Sequence, residues 1–126
     1  MNLLKHLFSR RSQSESTPSP FIRWLGQSGN EYQYEVYPID TALKALPGNF
    51  VCAKQSEDGS WVPIYIAQTR DLHQRLEGHV LLDDARTNGA THIHVHYCTT
   101  GQAARCTEER DLIQRWQPEC NDVTES

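Results

Sequence analysis

WVPIYIAQTRDLHQRLEGHVLLDDARTN, residues 61–88, changes its period partway along, and that change decides the fold. From Trp61 to Ala67 the run is β-branched and aromatic, as a half-buried or buried strand requires. From Arg70 onward Leu72, Leu76 and Val80 recur four apart, and Asn88-Gly89 supplies a stop. That spacing predicts a helix over 70–88, about five turns long, with Arg75 and His79 together on its flank. The chain therefore runs from a strand straight into a helix.

Upstream, SEDGS at residues 56–60 is a turn signal, and Asn49–Lys54 reads as a second strand, so the two strands form an antiparallel hairpin. If Lys54 faces Trp61, constant register sets Phe50 opposite Tyr65. Pro47-Gly48 breaks a short helical turn that Asp40 or Thr41 would cap and that runs to Leu46. Before it, EYQYEVY (residues 31–37) alternates Tyr32, Tyr34 and Val36 against Gln33 and Glu35 until Pro38 ends the strand.

Downstream, THIHVHYC (residues 91–98) alternates strictly. Ile93, Val95 and Tyr97 go to one face, and His92, His94, His96 and Cys98 to the other. Thr99-Thr100-Gly101-Gln102 fits a capping box opening a last helix, whose inward stripe reads Arg105, Glu109, Leu112, Ile113 and Trp116 before Pro118 stops it. The expected class is α/β in the α+β sense. A small, mostly antiparallel three-stranded core sheet (near 49–54, 61–67 and 91–98) is flanked by helices near 70–88 and 101–117, with an extra N-terminal strand.

At 126 residues the chain has room for one modest core. Residues 9–20, SRRSQSESTPSP, read as a linker. The expected organisation is a flexible segment over 1–20, a domain over 21–122 and a tail over 123–126. Within residues 1–11, Leu3, Leu4, Leu7 and Phe8 stand at helical spacing beside basic residues, a candidate short amphipathic helix for protein or membrane-surface contact. That apolar part is too short and broken for a secretory signal, and no stretch approaches the ~20 residues that span a bilayer. The expected compartment is the cytoplasm. Four cysteines without a CxxC pair indicate reduced thiols rather than a zinc site or disulfide scaffold. The net charge is -4, and because residues 1–23 hold +3, residues 24–126 hold -7. An acidic domain opposes non-specific binding to nucleic acid unless its few cations converge.

No internal repeat, phosphate-cradling glycine loop, GxSxG elbow or HExxH pair occurs. Two features carry chemistry. Glu109 falls on the core-facing stripe, where a carboxylate is costly unless paired, hydrogen-bonded or bound to a cation. His92, His94 and His96 share a strand face and form an alternative zinc or copper set. Same-face residues stand ~6.6 Å apart on a straight strand, so all three would rarely reach one ion.

YIAQTRDLHQRLEGH (65–79) together with ERDLIQRWQPECN (109–121) resembles the GIY-YIG nuclease domain, over roughly residues 47–121. The first string follows the family's Tyr-Ile-Gly, Thr, Asp-Leu, Arg and His, and the second its Glu, Leu-Ile, Pro and closing Asn. The resemblance implies divalent-metal-dependent hydrolysis of DNA phosphodiesters. In it Glu109 holds Mg²⁺ or Mn²⁺, Arg75 stabilises charge on the phosphate, and Tyr65 positions or deprotonates water. His79 carries a proton, and Asn121 fixes the closing segment. Two positions depart from the pattern: Phe50 stands where the first motif has a tyrosine, and Ala67 replaces a glycine. Those losses imply an impaired reaction or a catalytically silent module binding nucleic acid or a protein, and a metal-binding domain built on the histidines is the third reading.

Overall fold

The computed structural model of the chain describes residues 20–77 and 80–121. Alternating stretches become β1 (Phe21–Leu25), β2 (Glu31–Pro38), β3 (Gly48–Gln55), β4 (Trp61–Thr69) and β5 (His92–Tyr97). All pair antiparallel in one five-stranded sheet of order β1-β2-β5-β3-β4. The first two pairs of consecutive strands are hairpins, and β5 lies between them.

Helices cover both faces. On the first, Phe50, Cys52, Tyr65, Ala67, Ile93 and Val95 pack with Leu72 and Leu76 of α1 (Leu72–Leu76) and Ala85 of α2 (Val80–Thr87). On the second, Trp24, Tyr34, Val51, Ala53 and Ile66 pack with Leu112 of α3 (Gln102–Trp116). Strand β3 lies inside the sheet and is buried on both faces from Gly48 to Ala53. Leu72 and Leu112 are fully buried, each worth about 1.5–3 kcal/mol of transfer free energy.

The fold agrees with the sequence in class and departs from it in four places. The sheet has five strands where three core strands and one extra were expected: β1 forms a hairpin with β2 across the turn at Gly26–Asn30, with Gly29 at φ 97°. The helix expected over 70–88 is two helices, because Glu77 takes an extended conformation (φ -70°, ψ 122°) at the end of α1, and Val80 is 68% exposed rather than on the buried stripe. Residues 41–46 form no helix. They run as a loop whose Leu43 is buried and whose Lys44 N–H donates to the Tyr97 hydroxyl at 3.0 Å.

The hairpin register also shifts. Cys52 pairs with Tyr65 but Ala53 with Pro63, which leaves Ile64 as the extra residue of a bulge. Proline has no N–H for the ladder, so a bulge is where a strand accepts one. Lys54 also faces Val62 rather than Trp61, so the turn and the bulge each add one residue of offset; Phe50 therefore faces Ala67, and its ring is a diagonal neighbour of Tyr65 with centroids 6.1 Å apart. Residues 1–19 and 122–126, which contain the N-terminal segment and the tail, lie outside the described residues.

Candidate functional site

The end of β4 and the start of α1 fix two of the expected site residues. The Asp71 N–H donates to Thr69 Oγ1 at 3.1 Å, and Asp71 Oδ1 accepts from Gln74 N–H at 3.0 Å, an N-cap that starts the helix at Leu72. Leu72 N–H donates to Leu46 O at 2.9 Å, which ties the helix to the 41–46 loop. With Leu72 and Leu76 pointing into the first core, Arg75 falls on the flank over Tyr65, and its Nη2 donates to the Tyr65 hydroxyl at 3.5 Å, the long end of a hydrogen bond.

Tyr65 is buried, and burial raises its phenol pKa; the Arg75 charge opposes that rise and the Glu109 charge adds to it. Arg75 and Glu109 therefore both act electrostatically on the Tyr65 phenol, in opposite senses. Glu109 is half-buried on α3, the helix that packs chiefly on β4. Phe50 is fully buried beside Tyr65 and offers no polar atom. Gly48 leaves no room for a side chain: a Cβ there would stand 2.6 Å from His96 O and 2.7 Å from Leu72 Cδ1.

The closing segment returns to the same strand. Gln117 adopts the left-handed conformation (φ 46°, ψ 60°) and its N–H bonds Ile113 O, which ends α3 and turns the chain at the buried Pro118. Asn121 then reaches the outer edge of β4, where Oδ1 accepts from Ile66 N–H at 2.8 Å and Nδ2 donates to Ile66 O at 2.8 Å. Tyr65, Arg75 and Asn121 thus bracket one stretch of β4, and His79 lies outside the described residues.

Glu109 is not the inward carboxylate of α3; Glu108 is. The buried positions are Arg105, Glu108 and Leu112, so the helix is rotated by part of a turn from the expected stripe. Glu108 accepts the Tyr34 hydroxyl at 2.6 Å and is hydrogen-bonded by His96 Nδ1 at 2.9 Å. Both partners satisfy a charge that burial would otherwise make costly. Burial, with the Glu108 charge adding, pushes the Tyr34 phenol well above its usual range. The Glu108 hydrogen bond raises the His96 pKa against burial, which lowers it. Buried Arg105 donates to Gln68 Oε1 at 3.1 Å and to Cys98 O at 3.3 Å, and its own carbonyl accepts from Asn49 Nδ2 at 2.9 Å. The sequence signal for these residues was the stripe itself, since steps of three then four and four then three fit a helix equally well.

The histidine row does not gather as one ligand set. His92 shares a hydrogen bond with Thr91 Oγ1, His94 Nδ1 accepts from Trp24 Nε1 at 3.0 Å, and His96 turns to Glu108. Trp61 stands perpendicular to the His94 ring with centroids 4.6 Å apart. Among the described residues no group of three or more His, Cys, Asp or Glu side chains could hold a metal ion. All four cysteines are free thiols, Cys52 and Cys98 buried and the other two half-buried. No described helix is long and apolar enough to cross a membrane. No family model matches the chain, and neither the curated proteins nor the solved structures include a significant match to it.

Proposed function

We propose that the chain is a GIY-YIG-like phosphodiesterase acting on DNA with a divalent cation, its site formed by Tyr65, Arg75 and Glu109. The observation that carries this reading is the Arg75 guanidinium on the Tyr65 hydroxyl, with the Glu109 charge felt at the same phenol. Phosphodiester hydrolysis needs a fixed cation for the phosphate, a hydroxyl at the nucleophile and an oxygen ligand for a metal. These three side chains are of those kinds.

The donor set fits Mg²⁺ or Mn²⁺, hard cations that accept a single carboxylate and complete their shell with water. Glu109 would hold the ion, which when bound would neutralise phosphate charge and make a nucleophile available near neutral pH. The protein's own groups do the rest. Arg75 offers a planar, permanently charged fork to the non-bridging phosphate oxygens. Tyr65, kept protonated by burial and by Glu109, orients a water molecule through its hydroxyl. Phe50 removes a second hydroxyl from this corner while preserving the packing of the ring, so a slow reaction is expected. Asn121 keeps β4 in register beneath the site.

The test is nicking of supercoiled DNA with Mg²⁺ or Mn²⁺ by the full chain. Glu109→Ala should abolish it, Arg75→Ala should lower the rate by at least about 100-fold, and Phe50→Tyr should raise it. A folded wild-type chain that binds DNA without cutting would favour the silent binding module. One that does neither would end the nucleic-acid reading.

A further inference from the structure

We infer that the chain's own first eleven residues dock, through Leu3, Leu4, Leu7 and Phe8, in the groove between the 39–46 loop and the α1–α2 layer. The groove encloses about 450 Å³ on the first face of the sheet, with Leu43, Leu76 and Leu82 in its wall. That volume lies in the range of sites that bury apolar groups. Neither Arg75 nor Tyr65 lines it.

Charge selects the occupant. Asp40, Glu77 and Asp83 line the groove and are exposed, against Arg86 as the one lining residue with a permanent positive charge. Arg86 lies 3.6 Å from Asp83, and His73 lies 3.3 Å from Glu77. The lining therefore keeps a formal charge of -2 when His73 is neutral. Residues 1–11 carry Lys5, Arg10 and Arg11 and no acid. A segment with four large apolar residues beside three cations matches a leucine-walled groove rimmed by carboxylates.

Reach allows it. The described chain begins at Pro20, whose carbonyl accepts from Val36 N–H at 2.8 Å, and the groove begins at Ile39, three residues further on and just past the end of β2. That offset is about 10 Å. By random-coil statistics eleven residues, the number from 9 to 19, reach about 18 Å, enough to bring Phe8 over the groove. At that tether length the effective concentration is of millimolar order, so a weak site is filled from within the same molecule.

The test places p-benzoylphenylalanine at Phe8 of the full chain and irradiates it. Intramolecular cross-links to residues 39–46 or 81–86 are expected, with yields that fall several-fold at 1 M salt and in the tail variant Leu7→Glu, which leaves the domain untouched. Leu82→Glu, on the groove side, should abolish them while the melting curve confirms a folded domain. Cross-links only between chains would assign the groove to a second copy. Cross-links only to anionic vesicles would make the segment a membrane contact, and none at all would leave the groove without this occupant; each of these overturns the inference. Loss of DNA cleavage has no bearing on the result.

Discussion

Asn121 holds Ile66 by both of its backbone groups, the carboxamide accepting from the N–H and donating to the carbonyl at 2.8 Å each. Ile66 lies on the outermost strand, where those groups would otherwise face outward with no strand to pair them. A primary amide presents one donor and one acceptor in nearly the geometry of a peptide unit, so one side chain does there what a sixth strand would do. Asn121 is itself buried, which keeps water from competing.

Asn121→Ala should therefore lower the unfolding free energy by about 2–3 kcal/mol, since two amide groups lose partners at a covered edge. Urea unfolding measures the loss. Amide exchange at Ile66 should accelerate far more than at Val51, the residue opposite it across the β3–β4 pair.

The Tyr65 corner can be read without any substrate. Because the Arg75 charge lowers the phenol pKa and the Glu109 charge raises it, Arg75→Ala should move Tyr65 ionisation upward and Glu109→Ala should move it downward. Ultraviolet titration of each variant, with Tyr65→Phe subtracting the other tyrosines, isolates the transition. An unmoved Tyr65 in Glu109→Ala would separate α3 from the site.

Acid stability depends on His94, whose pKa burial pushes down to about 3, with the neighbouring His92 adding to the shift. The folded chain keeps this ring neutral while the unfolded chain binds a proton at its ordinary value near 6.5. Stability is therefore lost as the pH falls from about 6.5 towards 3, by up to ~4 kcal/mol. His96 acts in the opposite sense, because its raised pKa contributes stability below the unfolded value that fades as the pH rises through the folded one. His94→Gln keeps an acceptor for Trp24 Nε1 and removes the titration. Its stability should fall less between pH 6.5 and 4 than that of the wild type, as followed by chemical unfolding.

Gly48→Ala tests the packing at the start of β3. The added methyl would meet the His96 carbonyl oxygen, which is main chain and cannot swing away, as well as Leu72. A loss of about 2–3 kcal/mol is expected from such overpacking, together with a weaker Arg75–Tyr65 contact as α1 is pushed outward. Thermal melting and the Tyr65 titration measure the two effects.

The alternation of residues 31–37 and 91–98 made β2 and β5 legible, because one polar and one apolar face leave period-two patterns. Arg75 and Asn121, singled out in the sequence, make side-chain contacts to neighbouring residues of β4, Tyr65 and Ile66. What was hidden had physical reasons. β1 buries only Trp24 fully, so FIRWL shows no clean alternation. The bulge at Ile64 changes register without changing composition. Adjacent glutamates at 108 and 109 differ by 100° around a helix, and the rotation of α3 is set partly by Asp111, which accepts from Ser28 N–H and Tyr32 OH in the β1–β2 hairpin. No pattern local to α3 records that contact.

The position of β5 bears on how the chain is made. It pairs with β2 on one side and β3 on the other, yet it is the last strand to be synthesised. Until residue 97 has left the ribosome, the β1–β2 and β3–β4 hairpins share no ladder, and each offers an open edge to whatever strand it meets. The six residues that join one hairpin to the other in space are thus supplied at the end, so the sheet closes in a single late step and long-range pairing dominates its folding time. In a growing chain, a histidine-rich strand that alternates polar and apolar side chains is a safer final piece than a wholly apolar one, because its solvated form does not invite a neighbouring chain to complete the sheet instead.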